Sequence, residues 1–119
     1  MINGVDFSVI PVTDIETSRR FYRDVLGLEE SKQWGSMPAF EFETGSLTLA
    51  LMDMAAFGQE FRPNGGAIAL HVDDFDAAKA ELESRGVDFY TGTIDSGVCF
   101  QAYFNDPDGN PIGIHHRYA

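Results

Sequence analysis

The sequence predicts an α+β protein made of two βαβββ modules in tandem, with mixed sheets curved around a cavity. Three observations support this fold class. The first half of the chain has the pattern of a strand, a helix and three strands, and the second half repeats that order after a connector rich in turn-forming residues. A shift of sixty residues also places Asp74 on Asp14 and Val72 on Val12. Because each half exposes a sheet face that it cannot bury alone, we expect one domain, residues 1–119, that pairs the two halves.

The first module is predicted to span residues 1–57. Residues 5–12 have the composition of a strand, and the helix after them begins at Thr13, as part of a capping box, or at Asp14. Gly27 can adopt the left-handed conformation that ends a helix. Three further strands are expected at 28–33, 38–43 and 46–53.

The second module is predicted to span residues 66–119, after a connector at 58–65. Its first strand covers 67–72, and its helix begins at Asp74 and ends at Gly86. Its remaining strands are expected in the segments 87–90, 98–104 and 110–116.

Composition and charge restrict the possible functions. The chain is 44% hydrophobic and 23% charged, which is typical of a folded domain, and it has no apolar run of the ~20 residues that a membrane span needs. The net charge of −11 disfavours binding to nucleic acid or to anionic lipid. The amino terminus does not resemble a signal peptide, and the single cysteine, Cys99, is interpreted as a buried, inert thiol, so we expect a cytoplasmic protein.

Three segments together carry a resemblance to a known family: VIPVTD leading into ETSRRFYRDVLGLE, then ALHVDDFDAAKAELESRG, and finally YFNDPDGNPIGI. They resemble the vicinal oxygen chelate superfamily, which includes glyoxalase I, extradiol dioxygenases and bleomycin-resistance proteins. The resemblance covers nearly the whole chain. It implies the glyoxalase/bleomycin-resistance-like fold, in which some members hold a divalent metal through histidine and glutamate side chains of four strands.

The four metal-ligand positions that the resemblance implies carry no metal-binding side chain in this sequence. They fall on Phe7, on Ala50 with Thr48 as a less favoured register, on Ala67 and on Gly113. Catalytic zinc normally takes three protein ligands, so this set cannot form the usual site. The sequence therefore predicts no metal and no other cofactor.

Strand alternation predicts which other side chains share a face with those four positions and line the ligand site. The predicted ligand-binding residues are Phe7, Val9, Trp34, Phe40, Thr48, Ala50, Met52, Ala67, Ala69, His71, Phe100, Gly113 and His115. Alternation does not decide which of the aromatic residues on the flanking strands face inward. Trp34 is a candidate lid residue, and the same aromatic residues are also consistent with plain core packing.

His71 and His115 are the sharpest individual candidates, because alternation places both on one face of two strands that are neighbours in the family. Three interpretations remain open for them: hydrogen-bonded structural residues, ligand contacts or acid–base groups, and part of a displaced metal site with Asp53 or Glu43. His116 is expected to point the opposite way, toward the surface.

The sequence thus favours a metal-free protein that binds a small molecule, such as a drug or a hydrophobic or cationic metabolite, as in the bleomycin-resistance branch. The alternative is a lyase, isomerase or dioxygenase of the same superfamily that uses the histidines, with His71 and His115 as candidate catalytic residues, or a non-standard metal site. We also expect a homodimer, by similarity to related proteins.

Overall fold

A computed structural model describes all residues, Met1–Ala119. The chain divides into two compact units, Met1–Pro63 and Asn64–Ala119, and the division falls within the predicted connector. Each unit contains a four-stranded mixed sheet with a helix, which is the predicted α+β class with two similar modules in tandem. No helix has both the length and the apolar composition needed to cross a membrane.

The first unit follows the predicted order of one strand, one helix and three strands. Its elements are β1 (Ser8–Val12), α1 (Ile15–Arg20) continued by a π-helical turn (Phe21–Val25), β2 (Glu29–Gln33), β3 (Ala39–Glu43), β4 (Thr48–Asp53) and a 3₁₀ turn (Met54–Phe57). The strand order in the sheet is β1-β4-β3-β2, with β1 and β4 parallel and the other pairs antiparallel.

Of the two predicted starts for the first helix, the structure has Asp14. Its side chain accepts a hydrogen bond from the Thr17 amide at 3.2 Å, which satisfies one of the unpaired donors of the first turn. Glu16, the other residue of the alternative capping box, accepts a hydrogen bond from Arg19 at 2.8 Å. Gly27 follows the helix with φ of 72°, as predicted.

The core of the first unit lies between α1 with its π-helical turn and the sheet. Tyr22 and Phe42 are fully buried, with ring centroids 6.1 Å apart. Arg19 crosses from α1 to the sheet, where its guanidinium lies 3.8 Å from the Phe40 ring and makes a two-point ion pair with Glu30. These contacts identify the side of the sheet that α1 covers.

The second unit repeats the same topology. Its elements are β5 (Ile68–His71), α2 (Phe75–Ser84), β6 (Ile94–Asp95), β7 (Cys99–Asn105) and β8 (Pro111–Arg117), and the sheet order is β5-β8-β7-β6. The helix begins at Asp74, whose side chain accepts from the Ala77 amide at 3.1 Å. Phe104 and Ile114 pack on the helix side, where Phe104 contacts Phe89 with ring centroids 5.3 Å apart.

A tight turn before β8 fixes the register of that strand. Asp106 accepts hydrogen bonds from the amides of Asp108 and Asn110 at 2.9 and 2.8 Å, and Gly109 has φ of 85°. The buried Asn110 side chain in turn accepts from the Asn64 amide at 2.8 Å. This network positions Gly113 and His115 on the strand that follows.

Several strand predictions differ from the structure. The strand predicted at 46–53 begins at Thr48. The first strand begins at Ser8, so residues 5–7 lie outside it, and the fifth begins at Ile68, so Ala67 lies outside it. The segment 87–90 makes only an isolated bridge between Phe89 and Phe104, and the edge strand forms instead at Ile94–Asp95. A short edge strand gains few ladder hydrogen bonds, so hydrophobic composition alone does not locate it.

Candidate functional site

Each sheet has one side covered by its own helix and one side that the helix does not cover, which we call the helix-free face. In the first sheet, the strand registers place Val9, Ala50 and Glu41 in one row across this face, and Pro11, Met52 and Ala39 in the next. In an antiparallel or parallel pair, residues directly opposite each other point to the same side. The predicted residues Val9, Ala50, Met52 and Thr48 therefore share the helix-free face.

An aromatic cluster lies on this part of the first unit. Trp34 makes edge-to-face contacts with Phe7, at 5.1 Å between ring centroids, and with Phe57, at 6.5 Å. The Trp34 indole N–H donates to the Glu41 carboxylate at 2.6 Å. Phe7 is 39% exposed and the other three side chains are half-buried, so the cluster presents an accessible apolar surface with one carboxylate beside it.

A second carboxylate on the same face is held by two hydroxyl groups. Ser31 and Thr48 each donate a hydrogen bond to Glu43 at 2.5 Å. These hydrogen bonds lower the pKa of Glu43, with the Ser31 bond as the larger cause. Thr48 is therefore engaged with Glu43, and its hydroxyl group acts here as a donor.

On the second sheet, the helix-free face carries two matching rows. One row is Ala69, Gly113 and Tyr103, and the other is His71, His115 and Gln101. The structure thus brings the two candidate histidines side by side in register on adjacent parallel strands. Ala67 lies just before this sheet and is exposed.

The Tyr103 ring lies across Gly113. A Cβ atom at Gly113 would meet Tyr103 Cε1 at 2.4 Å and Cδ1 at 2.6 Å, closer than real Cβ contacts allow. The Tyr103 hydroxyl donates a short hydrogen bond to the Gln101 side-chain oxygen. The phenol, the amide and the two imidazoles therefore form one polar surface on this face.

The three histidines have different surroundings. His71 is exposed, and its Nε2 lies 2.9 Å from Asp73 Oδ1. His115 is half-buried, and its imidazole makes no hydrogen bond in the structure. His116 lies in register with Phe100 and bonds through Nδ1 to the Val72 carbonyl at 2.9 Å, so it is half-buried rather than at the surface as the sequence suggests.

The lone cysteine is buried, as the sequence predicts. Cys99 Sγ lies 3.0 Å from Ser96 Oγ and 3.8 Å from Gln101 Nε2. These surroundings are those of a structural thiol.

Comparison with known proteins identifies the family. The sequence model of the Glyoxalase/Bleomycin resistance protein/Dioxygenase superfamily matches residues 4–114. The chain belongs to this superfamily.

Relatives in the superfamily carry different descriptions. The chain is 30% identical to TnmS3, an antibiotic binding protein from a Streptomyces species, with 98% of each chain covered and a TM-score of 0.81. It is 32% identical to the uncharacterized protein YaeR of Escherichia coli, with 98% of each chain covered. It is also 26% identical to the glutathione transferase FosA of Serratia marcescens, over 97% of this chain and 82% of the relative.

The residues at the superfamily's expected metal-ligand positions do not fit a metal ion. Phe7, Ala50, Ala67 and Gly113 offer no side-chain oxygen, nitrogen or sulfur atom, and Tyr103 fills the space beside Gly113. No group of three or more histidine, cysteine, aspartate or glutamate side chains is arranged to hold a metal elsewhere, which includes the suggested partners Asp53 and Glu43.

Two of the predicted ligand-binding residues lie on the helix-covered sides of their sheets. Phe40 lies under Arg19 of α1, and Phe100 contacts Phe75 of α2 with ring centroids 5.7 Å apart. Neither side chain is therefore on a helix-free face. Each helix needs an apolar sheet surface to bury its own apolar stripe, and these phenylalanines supply it.

The sequence prediction did not include Glu41, Phe57 and Gln101, and it left open which way Tyr103 faces. The alternation of residue types along the strands indicates the facing of Glu41, Gln101 and Tyr103. Glu41 alternates with two phenylalanines, and Gln101 and Tyr103 alternate with Phe100, Ala102 and Phe104, so the polar residues mark the side away from the helix. Phe57 lies in the 3₁₀ turn, for which alternation gives no information.

Proposed function

We propose that this chain is a metal-free small-molecule-binding protein that sequesters a hydrophobic or cationic compound. The observation that carries the proposal is the chemistry at the four metal-ligand positions of the superfamily. All four side chains lack a donor atom, and the space next to Gly113 is taken by Tyr103. A member without those ligands retains the fold but not the means to polarise a substrate with a metal.

The cluster of Phe7, Trp34 and Phe57 supplies an apolar contact surface for such a ligand. Apolar contact gives most of the affinity in small-molecule sites, while a few polar groups fix the orientation. At ~0.3 kcal/mol per heavy atom, a ligand of about 30 heavy atoms would gain roughly 9 kcal/mol, which corresponds to sub-micromolar binding.

Charge favours a cationic ligand over an anionic one. The net charge of −11 attracts cations over a distance that falls as salt rises. Glu41, which contacts the aromatic cluster through Trp34, provides a carboxylate close to the apolar surface. The antibiotic-binding description of TnmS3 agrees with a sequestering role.

The test uses Trp34, the single tryptophan of the chain, as a reporter of the cluster. Titration with the neutral hydrophobic dye N-phenyl-1-naphthylamine should quench Trp34 fluorescence saturably. Phe57→Leu should weaken binding of the dye by about two- to tenfold, as expected for the loss of an aromatic contact worth about 0.5–1.5 kcal/mol. Tyr90→Leu, which removes an aromatic ring that is 57% exposed, is the matched control and should change nothing.

Elemental analysis addresses the metal directly. Protein purified from medium supplemented with zinc, nickel, manganese and iron should contain much less than one metal ion per chain. Stoichiometric metal, or a dye titration without saturation, would contradict the proposal.

We also propose that the protein acts in the cytoplasm as a homodimer. Ile94 and Val98 near the edge of the second sheet are 42% and 45% exposed, which is consistent with an apolar contact to a second copy. Light scattering at micromolar concentration should give the mass of two chains, and a monomer would contradict it.

The second candidate function is an enzyme of the same superfamily, and the pairing of His71 with Asp73 favours it. A carboxylate 2.9 Å from an imidazole can orient the ring for acid–base work. Replacement of His71 or His115 by glutamine should then abolish turnover of any substrate found. Sequestration without chemistry, seen as unchanged recovery of the bound compound by mass spectrometry, would exclude this candidate.

A further inference from the structure

Gly113 is one of the glycines whose backbone conformation does not require glycine. Seven other glycines have a positive φ, but Gly113 has none and lies inside a regular strand. Glycine weakens a strand interior by about 0.5–1 kcal/mol relative to alanine. What glycine provides here is room, since any side chain would collide with the ring of Tyr103.

Tyr103 is held firmly at this position. Two hydrogen bonds fix its backbone. The Tyr103 amide donates to Thr91 Oγ1 at 3.0 Å, and the Tyr103 carbonyl accepts from the Tyr90 amide at 2.9 Å. Its hydroxyl donates to the Gln101 side-chain oxygen. The ring, which is half-buried, is thus fixed at both its backbone and its hydroxyl end.

The hydrogen bonds leave defined groups available to a ligand. Because the Tyr103 hydroxyl hydrogen is given to Gln101, the Tyr103 oxygen keeps its capacity to accept. The Gln101 amide nitrogen has only a long contact, 3.8 Å, to Cys99 Sγ, so it can donate. His115 lies in register beside Gln101 and can either donate or accept.

We propose that Tyr103, Gln101 and His115 form a hydrogen-bonding site for a neutral, planar ligand that carries a hydroxyl group, and that Gly113 creates this site by letting Tyr103 lie flat. This inference rests on the proposed ligand-binding function and adds the ligand chemistry of the second sheet. A planar ligand suits the row of Ala69, Gly113 and Tyr103, where two residues are small and the third is a flat ring. A ligand hydroxyl can donate to the Tyr103 oxygen and accept from Gln101 or His115.

The experiment compares 7-hydroxycoumarin with coumarin, which lacks the hydroxyl group, in a buffer acidic enough to keep the hydroxyl protonated. Wild-type protein should bind 7-hydroxycoumarin more tightly, measured by fluorescence anisotropy for the hydroxylated probe and by NMR titration for both. Tyr103→Phe should weaken binding of 7-hydroxycoumarin by about tenfold, as expected for the loss of one hydrogen bond, and remove the preference over coumarin. Tyr90→Phe, which deletes a phenol elsewhere, should have no effect.

The melting temperature of Tyr103→Phe distinguishes a hydrogen-bonding role for Tyr103 from a merely structural one. Under the proposal, the ring of Tyr103→Phe still covers Gly113, so the melting temperature should stay close to that of the wild type while the preference for 7-hydroxycoumarin is lost. Gly113→Ala should reduce both affinity and melting temperature, because the ring must move. In NMR spectra, 7-hydroxycoumarin should shift the side-chain amide signals of Gln101.

The inference is overturned if wild-type protein does not prefer 7-hydroxycoumarin, or if Tyr103→Phe retains the preference. Its failure is separable from that of the proposed function. The naphthylamine titration of wild-type protein, read at Trp34, measures ligand binding at the first unit whatever the coumarins do.

Discussion

The two units share one topology but carry different chemistry at equivalent positions of their helix-free faces. The row of Val9, Ala50 and Glu41 in the first sheet corresponds to Ala69, Gly113 and Tyr103 in the second. The next row is Pro11, Met52 and Ala39 in the first sheet, and His71, His115 and Gln101 in the second. The first sheet thus has an apolar second row, whereas the second sheet has a polar one.

The repeated backbone therefore fixes the positions of the side chains on the two faces but not their chemical type. In the first unit, the groups available to a ligand are aromatic rings gathered around Trp34 from a segment before β1 and from the 3₁₀ turn. In the second unit, they are a phenol, an amide and an imidazole on the strands themselves. Ala50 and Gly113 differ by one methyl group, and that group is what the Tyr103 ring excludes.

The largest effect is expected where the two units are alike, in the aromatic core under each helix. Phe42 and Phe104 are both fully buried on the helix side. Phe42→Ala and Phe104→Ala should each reduce the free energy of unfolding by about 3–5 kcal/mol, through lost apolar contact and the cavity left behind. Urea unfolding followed by circular dichroism measures this loss, and a cost below about 1 kcal/mol at either site would show that the two cores are not equivalent.

A smaller effect should separate the units at Ala50 and Gly113. Gly113→Ala adds a methyl group that collides with Tyr103, so we expect a loss of about 1–3 kcal/mol from overpacking. Ala50→Gly, the reverse change at the equivalent position, should cost about 0.5–1 kcal/mol through backbone entropy. Thermal unfolding of both variants, with Gly113→Ala combined with Tyr103→Ala as the control, tests the assignment. If Gly113→Ala still destabilises the protein when Tyr103 is replaced by alanine, the collision is not the cause of the loss.

The smallest effect concerns acid and is confined to the first unit. Hydrogen bonds from Arg19 lower the pKa of Glu30 from its ordinary value of 4.5, despite some opposing desolvation. A carboxyl group with a lowered pKa in the folded state adds stability above its unfolded pKa, and that stability is lost as pH falls through the folded value. The free energy of unfolding of the wild-type protein should therefore exceed that of Glu30→Gln by about 0.2–1 kcal/mol near neutrality. This difference should shrink below about pH 4.5.

The control for this prediction lies in the second unit. Glu81 of α2 pairs with Arg85, the residue that follows this helix, and both side chains are more exposed than those of Arg19 and Glu30. Glu81→Gln should change stability less than Glu30→Gln does. Denaturant titrations at neutral and acidic pH distinguish them, and a constant difference for Glu30→Gln across this range would refute the ion-pair account.

Much of the candidate site follows from strand alternation once the strands are located. Alternation places His71 beside His115 and Val9 beside Ala50, because each residue in a regular strand reverses the side of the one before. Alternation did not decide which side of the sheet Phe40 and Phe100 face, since a phenylalanine suits either a helix-covered surface or a surface that lines a ligand site. The neighbouring glutamates and glutamine held that information, because a charged or amide side chain avoids the packed side.

The sequence by itself determined the repeated βαβββ order, the helix start at Asp74, and the absence of donor atoms at the four positions where the superfamily places metal ligands. Each of these depends on local preferences or on the identity of a single residue. Only the tertiary structure decided that Tyr103 covers Gly113, that Trp34 joins Phe7 and Phe57, and that Phe40 and Phe100 belong to the helices. Those contacts join residues far apart in the chain, so they depend on strand register and packing, which no local pattern specifies.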